Sequence, residues 1–476
     1  MRLVLGPIVG HTTHHTTRIW LQSDRAADDL QCEVYTDSAL QQPVPASPYT
    51  FSTSAAAGYT GVAEITHLPA VASPYFYRFT HQGQPLHPDS YRFCTLAQNP
   101  QKFTFAVSSC HLPLKYSGTD QTLLWRRMRA VLDTKGVNMM LQIGDQIYSD
   151  GIKPLFGKSN TYWDRAVAAH EAGGGGMAAA VAEFRACYRQ FWDYADLAAV
   201  TAHYPQYMIW DDHDIANGWG SNSENQAPAQ QAAFAAARQA YIEYQHSHNP
   251  VTAPGVFYYG FDVGPAAFLV MDLRGERQAW NNRLLGDAQY AWIDQFLAAR
   301  PETTTLFLFS SVPLFHLAPL WAMLPSFLKR GISDVTDQWS SPPNRGDRIR
   351  LLNRLHRWIS EQPQRRIVLL GGDVHIGTFG KAIYTGGQIP CQLIQATTSP
   401  ISNKPAGLLD RLVRRVSGRF KLDLGGGLGL DVDLPHRFTR RNFLLVHLEY
   451  PTDSTVPALT FEFYTDNGTT PERFTL

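Results

Sequence analysis

The chain has little cysteine, no surplus of charge and no long apolar run, and each shortage removes a class of protein. Its 5 cysteines are scattered and odd in number, which fits a reducing compartment better than a disulfide framework. Lysine plus arginine and aspartate plus glutamate both total 41, which argues against a nucleic-acid binder relying on bulk positive charge. Any anionic substrate must be drawn by local charge. Hydrophobic residues make up 44% and charged residues 17% of the chain, the balance of a globular protein rather than a disordered one. No uninterrupted apolar segment reaches the roughly 18 residues of a membrane-spanning helix. The stretch Met1-Arg2-Leu3-Val4-Leu5-Gly6-Pro7 is too short for a signal h-region and carries no twin arginine. The expectation is a soluble, cytoplasmic protein.

What is present divides in two, and the expected domains are residues 1–98 and 101–476 of the 476. In the first, short runs such as Thr17-Arg18-Ile19-Trp20-Leu21 and Cys32-Glu33-Val34-Tyr35 alternate with turn clusters, the pattern of a small all-β domain. The stretches Ala63 to Pro69 and Tyr75 to Phe79 resemble the paired strands and corner tyrosine of a fibronectin type III sandwich. Packing support for the next domain is its expected role. His11, His14 and His15 read as solvated residues of a Thr-rich turn rather than as a metal site.

Past Pro100, buried strands alternate with helical segments, the signature of an α/β layer domain. Apolar spacing predicts helices from Thr119 to Lys135, ending at Gly136, from Asp287 to Ala299 and from Asp347 to Glu361. Phe268 to Met271 and Leu306 to Phe309 continue the sheet, while Phe443 to Leu448 and Leu459 to Tyr464 alternate and suit an antiparallel closing layer. Residues 151–206 read as mainly helical, with Gly173 to Gly176 as a link. Residues 403–435 read as a basic amphipathic stretch, Leu408 to Val416, followed by Gly425-Gly426-Gly427, with a solvated helix covering one edge.

Four of the buried runs end in chemistry. Phe103 to Ser108 delivers Ser109-Cys110-His111, Met139 to Ile143 delivers Gly144-Asp145-Gln146-Ile147-Tyr148, Tyr207 to Trp210 delivers Asp211-Asp212-His213-Asp214, and Ile367 to Leu370 delivers Gly372-Asp373-Val374-His375. In open α/β sheets ligands bind at the carboxyl ends of strands, so these groups read as one dispersed dinuclear metal site. Asp145 is the natural bridge, since a carboxylate can hold two cations about 3.5–4 Å apart. Cys110 and His375 offer softer sulfur and nitrogen donors, whereas Asp212, Asn217 and Asp373 offer oxygens suited to calcium, magnesium or manganese, so a mixed pair is expected. Tyr148 is either a phenolate ligand to a strongly Lewis-acidic ion or a pocket wall, and Cys110 either a ligand or an inert buried thiol. His213 reads as a general acid for the leaving oxygen, or as a further metal nitrogen. Arg274 is a candidate phosphate clamp or the partner of Asp272 in a structural pair.

Taken together, Ser109-Cys110, Gly144-Asp145-x-Ile147-Tyr148, Trp210-Asp211-Asp212-His213-Asp214 with Asn217, and Gly372-Asp373-Val374-His375 resemble the PhoD-like alkaline phosphatase family of metallophosphoesterases. The likeness extends to Met271-Asp272-Leu273-Arg274, to Leu285 through Trp292, and to Ser310-Ser311-Val312-Pro313. It implies a four-layer α/β/β/α core with ferric iron and calcium at its centre. Cys110, Asp145, Tyr148 and His375 would then hold iron, Asp145, Asp212, Asn217 and Asp373 the second metal, and His213 would match the catalytic histidine. The Asp-x-His opening of the general metallophosphoesterases is absent around Cys110, which favours the PhoD-like branch. The chain departs from that branch at Asp214, where glutamate is frequent, and at Gly371, where serine or threonine is common.

The resulting expectation is a metal-dependent phosphoester hydrolase acting on monoesters, diesters or both, with Asp145, His213 and Arg274 in the reaction. A phosphodiesterase on a lipid or nucleotide is one alternative, and a metal-retaining binding protein that works through its sandwich is another. A small phosphoester is the expected partner, with neither a stable nucleic-acid partner nor a membrane span.

Overall fold

Side-chain alternation builds the N-terminal part of the computed structural model, which describes residues 1–113, 122–151, 160–171, 176–316, 336–387, 389–405, 407, 418–468 and 470–476. Strands Leu3–Thr12, Thr17–Ser23 and Thr60–Ile65 form one antiparallel sheet. Tyr49–Thr53, Ala27–Tyr35, Pro74–His81, Gln84–Pro85 and Tyr91–Cys94 form the other. Ile19 and Leu21 from the first sheet meet Leu30, Cys32, Val34, Tyr77 and Phe79 from the second in one buried core. Trp20, between Ile19 and Leu21, faces the other way. Its indole N–H donates to the Glu243 carbonyl at 2.7 Å and its ring lies 5.9 Å from Trp192, so the sandwich is packed onto the remainder of the chain. The expected corner tyrosine is present. The Tyr75 hydroxyl donates to the Ala70 carbonyl at 3.0 Å and accepts from its N–H at 2.8 Å.

The remainder is a pair of face-to-face sheets. Lys102–Ser108, Met139–Ile143 and Gln206–Ile209 run parallel and adjacent. Antiparallel Asn442–Glu449, Ala458–Thr465 and Glu472–Thr475 extend that sheet, as the alternating C-terminal runs predict. The crossover helix Leu123–Lys135 stops at Gly136, whose φ of 61° lets its N–H reach the Leu132 carbonyl. Residues 119–121 of its expected start lie outside the described residues. The second sheet has the order Tyr259–Val263, Ala266–Val270, Thr305–Ser310, Arg366–Gly371, Gln392–Thr397, Gly377–Thr385, Leu428–Phe438, Arg419–Gly425.

Its continuous apolar strands are buried on both faces, and their alternation sorts them. Phe268, Phe307, Phe309, Val368 and Leu370 face the first sheet, with the Phe105 ring 5.3 Å from Phe268 and 5.0 Å from Phe307. Leu269, Leu306, Leu308, Ile367 and Leu369 face outward and are covered by helices Asp287–Ala298 and Arg345–Ser360. Helix, sheet, sheet and helix make the four expected layers.

Residues 151–206 supply helices Tyr162–Glu171, Gly176–Trp192 and Ala195–Thr201. The 173–175 part of the glycine link lies outside the described residues, as does Leu408 to Val416. The end of the 403–435 stretch differs from its helical reading. Arg419–Gly425 and Leu428–Phe438 pair as a hairpin at the sheet edge, and Gly425, Gly426 and Gly427 all take positive φ in its turn. His11 is part-buried rather than solvated, with Nδ1 3.2 Å from the Tyr207 hydroxyl, and burial, aided by Arg18, lowers its pKa to about 4.

Candidate metal centre

Strand direction alone brings the reactive residues to one edge, but backbone conformation aims them. Cys110, Asp145, Asp373 and His375 have φ values of 60°, 57°, 59° and 53°. Positive φ is uncommon for residues with a Cβ and gathers at functional sites. The adjoining glycines are fixed by contact. A Cβ on Gly144, at φ +98°, would lie 2.6 Å from the Asp211 Cβ; one on Gly372 would lie 2.7 Å from the Ser109 Oγ and 2.9 Å from the Ile143 carbonyl oxygen. Gly372 directly follows strand Arg366–Gly371 of the second sheet, and Ile143 ends strand Met139–Ile143 of the first. The missing side chains let the two strand ends close on each other.

Three overlapping groups of donor atoms result, each with its atoms within 4.8 Å of one another: Cys110, Asp145 and His375; Asp145, Asp212 and His213; Asp211, Asp212 and Asp373. Asp145 belongs to the sulfur-containing and the oxygen-rich groups alike, as a bridging carboxylate must. Its Oδ2 accepts the Tyr148 hydroxyl at 3.0 Å, while its buried Oδ1 has no hydrogen-bond partner. Burial, reinforced by Asp212, Asp211 and Asp214 against the opposing charge of His213, raises the Asp145 pKa well above the carboxylate range. Burial and then the charges of Asp145 and Asp373 raise that of the Cys110 thiol, and burial and Asp145 raise that of the Tyr148 phenol. Such a set is unfavourable as bare anions and is relieved by cations. The residues present therefore fit a metal pair, with a soft-donor side and an oxygen-donor side.

His213 sits over this group with its ring centroid 4.2 Å from that of Tyr148, and its Nδ1 is 2.7 Å from the Asp150 Oδ1. Burial works against its charged form, but Asp150, Asp212 and Asp145 prevail and hold its pKa well above the ordinary value. Both sequence readings of His213, proton donor and additional nitrogen ligand, keep geometric support. Asn217 is exposed in the turn that follows, next to Gly218, whose N–H donates to Asp212 Oδ2 at 2.6 Å.

Arg274 differs from its expected place. It is wholly buried, its Nε donates to Asp211, its Nη1 donates to Asp337 at 3.0 Å and to the Trp219 carbonyl at 3.2 Å, and its Nη2 donates to Asp337. That spends the guanidinium inside the protein and leaves no fork for a phosphate. Asp272 is not its side-chain partner either, since its Oδ1 takes the Trp210 indole at 2.7 Å and the backbone N–H groups of Arg274 and Gly275. Arg274 braces the Asp211-Asp212 end from behind.

Sequence reading passed over several residues that organise the site. Asp150 is the partner of His213, and its signal was available, two residues after Tyr148 in the same motif. Asn403 donates its amide N–H to the Tyr148 hydroxyl at 2.8 Å and lies 3.2 Å from His375 Nε2, and its Oδ1 accepts the Lys404 N–H at 2.6 Å, which fixes which way the amide faces. It follows another strand end, Gln392–Thr397, so the same rule would have found it. Asp214 accepts the N–H groups of Asp211 at 2.8 Å and Asp145 at 2.9 Å and the Gln245 amide at 2.8 Å, tying two strand ends together. Burial, partly offset by those bonds, pushes its pKa up to about 7. His111 is structural. It lies 2.8 Å from the Phe191 carbonyl and accepts the Trp125 indole at 3.0 Å, and burial lowers its pKa to about 4.

The PhoD-like phosphatase family model matches residues 105–385. This chain belongs to the PhoD-like phosphatase family. Alkaline phosphatase D of Bacillus subtilis (strain 168) is 24% identical over 331 residues, 63% of this chain and 51% of that protein. The chain thus spans about half the length of the curated relative it matches. A solved structure of PhoD superposes with a TM-score of 0.67 at 17% identity, covering 99% of this chain and 92% of that one, and bears on the fold alone. GAP50, the anchor in the inner membrane complex of Plasmodium, aligns at a TM-score of 0.38 and 12% identity over 79% of this chain and 88% of that one, too remote to carry an argument. One departure from the PhoD-like pattern has a local cause. A Cβ on Gly371 would lie 2.8 Å from the Pro313 Cβ and 2.9 Å from its Cα, so serine or threonine has no room there.

Proposed function

We propose that this chain hydrolyses small phosphoesters with a dinuclear metal centre held by Cys110, Asp145, Tyr148 and His375 on one side and Asp145, Asp212, Asn217 and Asp373 on the other. The observation that carries the reading is the sharing of Asp145 between a sulfur-containing donor group and an oxygen-rich one. Membership of a phosphatase family supports the ester class. The likeness to PhoD-like phosphatases, with the Tyr148 phenol as the donor that suits it, favours ferric iron on one side, and the oxygen donors favour calcium, with manganese or magnesium as substitutes, on the other. Such a pair, when bound, activates water and neutralises phosphoryl oxygens.

The chain's own residues supply the rest. Asp145 and the strand ends fix the spacing of the donors, whose side chains are largely buried from bulk water. His213, charged and oriented by Asp150, donates a proton to the leaving oxygen. Arg274 and Asp214 hold the Asp211-Asp212 segment. The chain divides into a sandwich, residues 1–98, that serves as a packing support, and an α/β domain, residues 101–476. A cytoplasmic setting is proposed because all five cysteines are free thiols, as a reducing compartment keeps them.

The test is hydrolysis of a chromogenic phosphomonoester and a diester side by side, with and without chelator, alongside elemental analysis of the purified protein. Turnover of at least one ester, lost with chelator and restored by metal, is expected. Retained metal without turnover of either ester would favour the binding-protein reading.

A further inference from the structure

The turn preceding helix Arg345–Ser360 buries more hydrogen-bonding capacity than it uses. Arg348, in the first turns of that helix, is 1% exposed, and its Nε and Nη1 have no partner. Gln338 is buried with both amide atoms unpartnered, and so are the hydroxyls of Ser340 and Ser341. These groups lie along one short segment, residues 338–348, that side-chain bonds tie to Arg277. Asn344 Nδ2 donates to the Gln338 carbonyl at 2.8 Å and to the Asp337 carbonyl at 3.4 Å, and Arg277 Nη2 donates to that same Asp337 carbonyl at 3.2 Å. Arg348 follows Asn344 by one helical turn, and helical side chains lean back over the preceding turn. Arg277 is likewise buried, with Nη1 unpartnered.

The nearby carboxylates are already engaged. Asp337 serves Arg274 and Arg277. Asp347, beside Arg348 in sequence, accepts the N–H groups of Leu284 and Leu285 and, at 3.0 Å, the Tyr290 hydroxyl. Burial, with Arg345 adding like charge, lowers the Arg348 pKa to about 10. Among the described residues no carboxylate is paired with Arg348. A buried cation left unpaired is strongly destabilising, and the hydroxyls and amide of the preceding turn, with the helix N-terminus, are all groups that bind anions.

We propose that Arg348, Arg277, Gln338, Ser340 and Ser341 form an anion site for a tetrahedral phosphate group, separate from the metal-donor residues and joined to them through Asp337 and Arg274. The site does not depend on the hydrolytic reading. Its occupant is inorganic phosphate or the phosphate of an organic ester, and both have the chemistry that two guanidinium groups and two hydroxyls recognise.

The test is calorimetric titration of the full-length protein with inorganic phosphate and, separately, with phenyl phosphate, before and after chelator treatment, so that phosphate held by bound metal drops out. Saturable binding near one equivalent is expected to survive the chelator. Arg348→Met should weaken it about tenfold or more, the scale of a lost charge-assisted hydrogen bond. The same variant should melt no lower than the native protein in phosphate-free buffer, because it removes an unpaired buried charge. A Ser340→Ala, Ser341→Ala double variant gives a second reading with little risk to the fold, and should weaken binding without removing it. Binding of phenyl phosphate as well as the free ion would indicate a site open to organic esters, while binding of phosphate alone would indicate a closed one, and either outcome sustains the proposal. Loss of all phosphate binding with the chelator, or unchanged affinity in Arg348→Met, would overturn it.

Discussion

At the scale of single residues, Asp145 carries the most, because two donor groups meet on one carboxylate. Asp145→Asn keeps the shape and removes the charge and one metal-binding oxygen. We expect hydrolysis to vanish and both ions to fall in elemental analysis; full occupancy with normal turnover would show that Asp145 is not the bridge. His213 has a different task, so His213→Ala should retain most metal while turnover drops by about 10²–10⁴. The loss should shrink for esters with acidic leaving groups, which need less protonation. Asp150→Asn should reproduce part of the same leaving-group dependence, since it weakens the 2.7 Å contact that orients the imidazole. A uniform loss across the series would instead point to His213 as a metal nitrogen. Tyr148 separates the ferric reading from others. A ferric phenolate would give the protein a visible charge-transfer band, and Tyr148→Phe should then bleach it without unfolding the chain. Iron-loaded protein that is colourless would make Tyr148 a wall residue.

At the scale of elements, the positive-φ turns at the strand ends distinguish architecture from local preference. Gly144 and Gly136 both have positive φ, yet a Cβ at Gly136 meets open space whereas one at Gly144 meets Asp211. Gly136→Ala should therefore cost only about 1–2 kcal/mol, the backbone cost of a left-handed residue, with turnover unchanged. Gly144→Ala should add a clash that pushes apart the ends carrying Asp145 and Asp212, lowering metal content and turnover together. Parallel thermal melts and chromogenic assays on the two variants check this. Equal loss of activity in both would mean that helix and strand-end turns matter alike, and that close approach at Gly144 is incidental.

At the scale of the whole molecule, the sandwich and the α/β layers are joined through Trp20, a wholly buried indole bonded to Glu243. Trp20→Ala should cost roughly 3–5 kcal/mol, typical of a large buried aromatic, and loosen both parts. Denaturant unfolding followed by fluorescence and by activity should shift together. An early sandwich transition that leaves activity intact would show that its support is dispensable.

The sequence by itself determined that an α/β layer domain follows a small all-β one, and at which edge the chemistry collects, because apolar runs report burial and the reactive groups sit just past their carboxyl ends; the count of four layers came from the family likeness. Met139 to Ile143 and its Gly144-Asp145 end were legible from neighbours in the chain alone. What tertiary structure decided was pairing. Arg274 reads in sequence as a phosphate clamp or the partner of Asp272, and the approach of Asp337, 63 residues away, makes it an internal brace of another kind. Asn403 came to Tyr148 across 255 residues, and Gly371 lost the room for a side chain to Pro313 in a neighbouring segment. The hairpin after Gly418 was hidden because its charged, alternating strands lie at a sheet edge, where one-dimensional patterns of edge strand and solvated helix look alike. Short-range physics fixes which face of an element is apolar. Which buried charge meets which partner depends on long-range closure of the two sheets, and a linear pattern carries no distance across that gap.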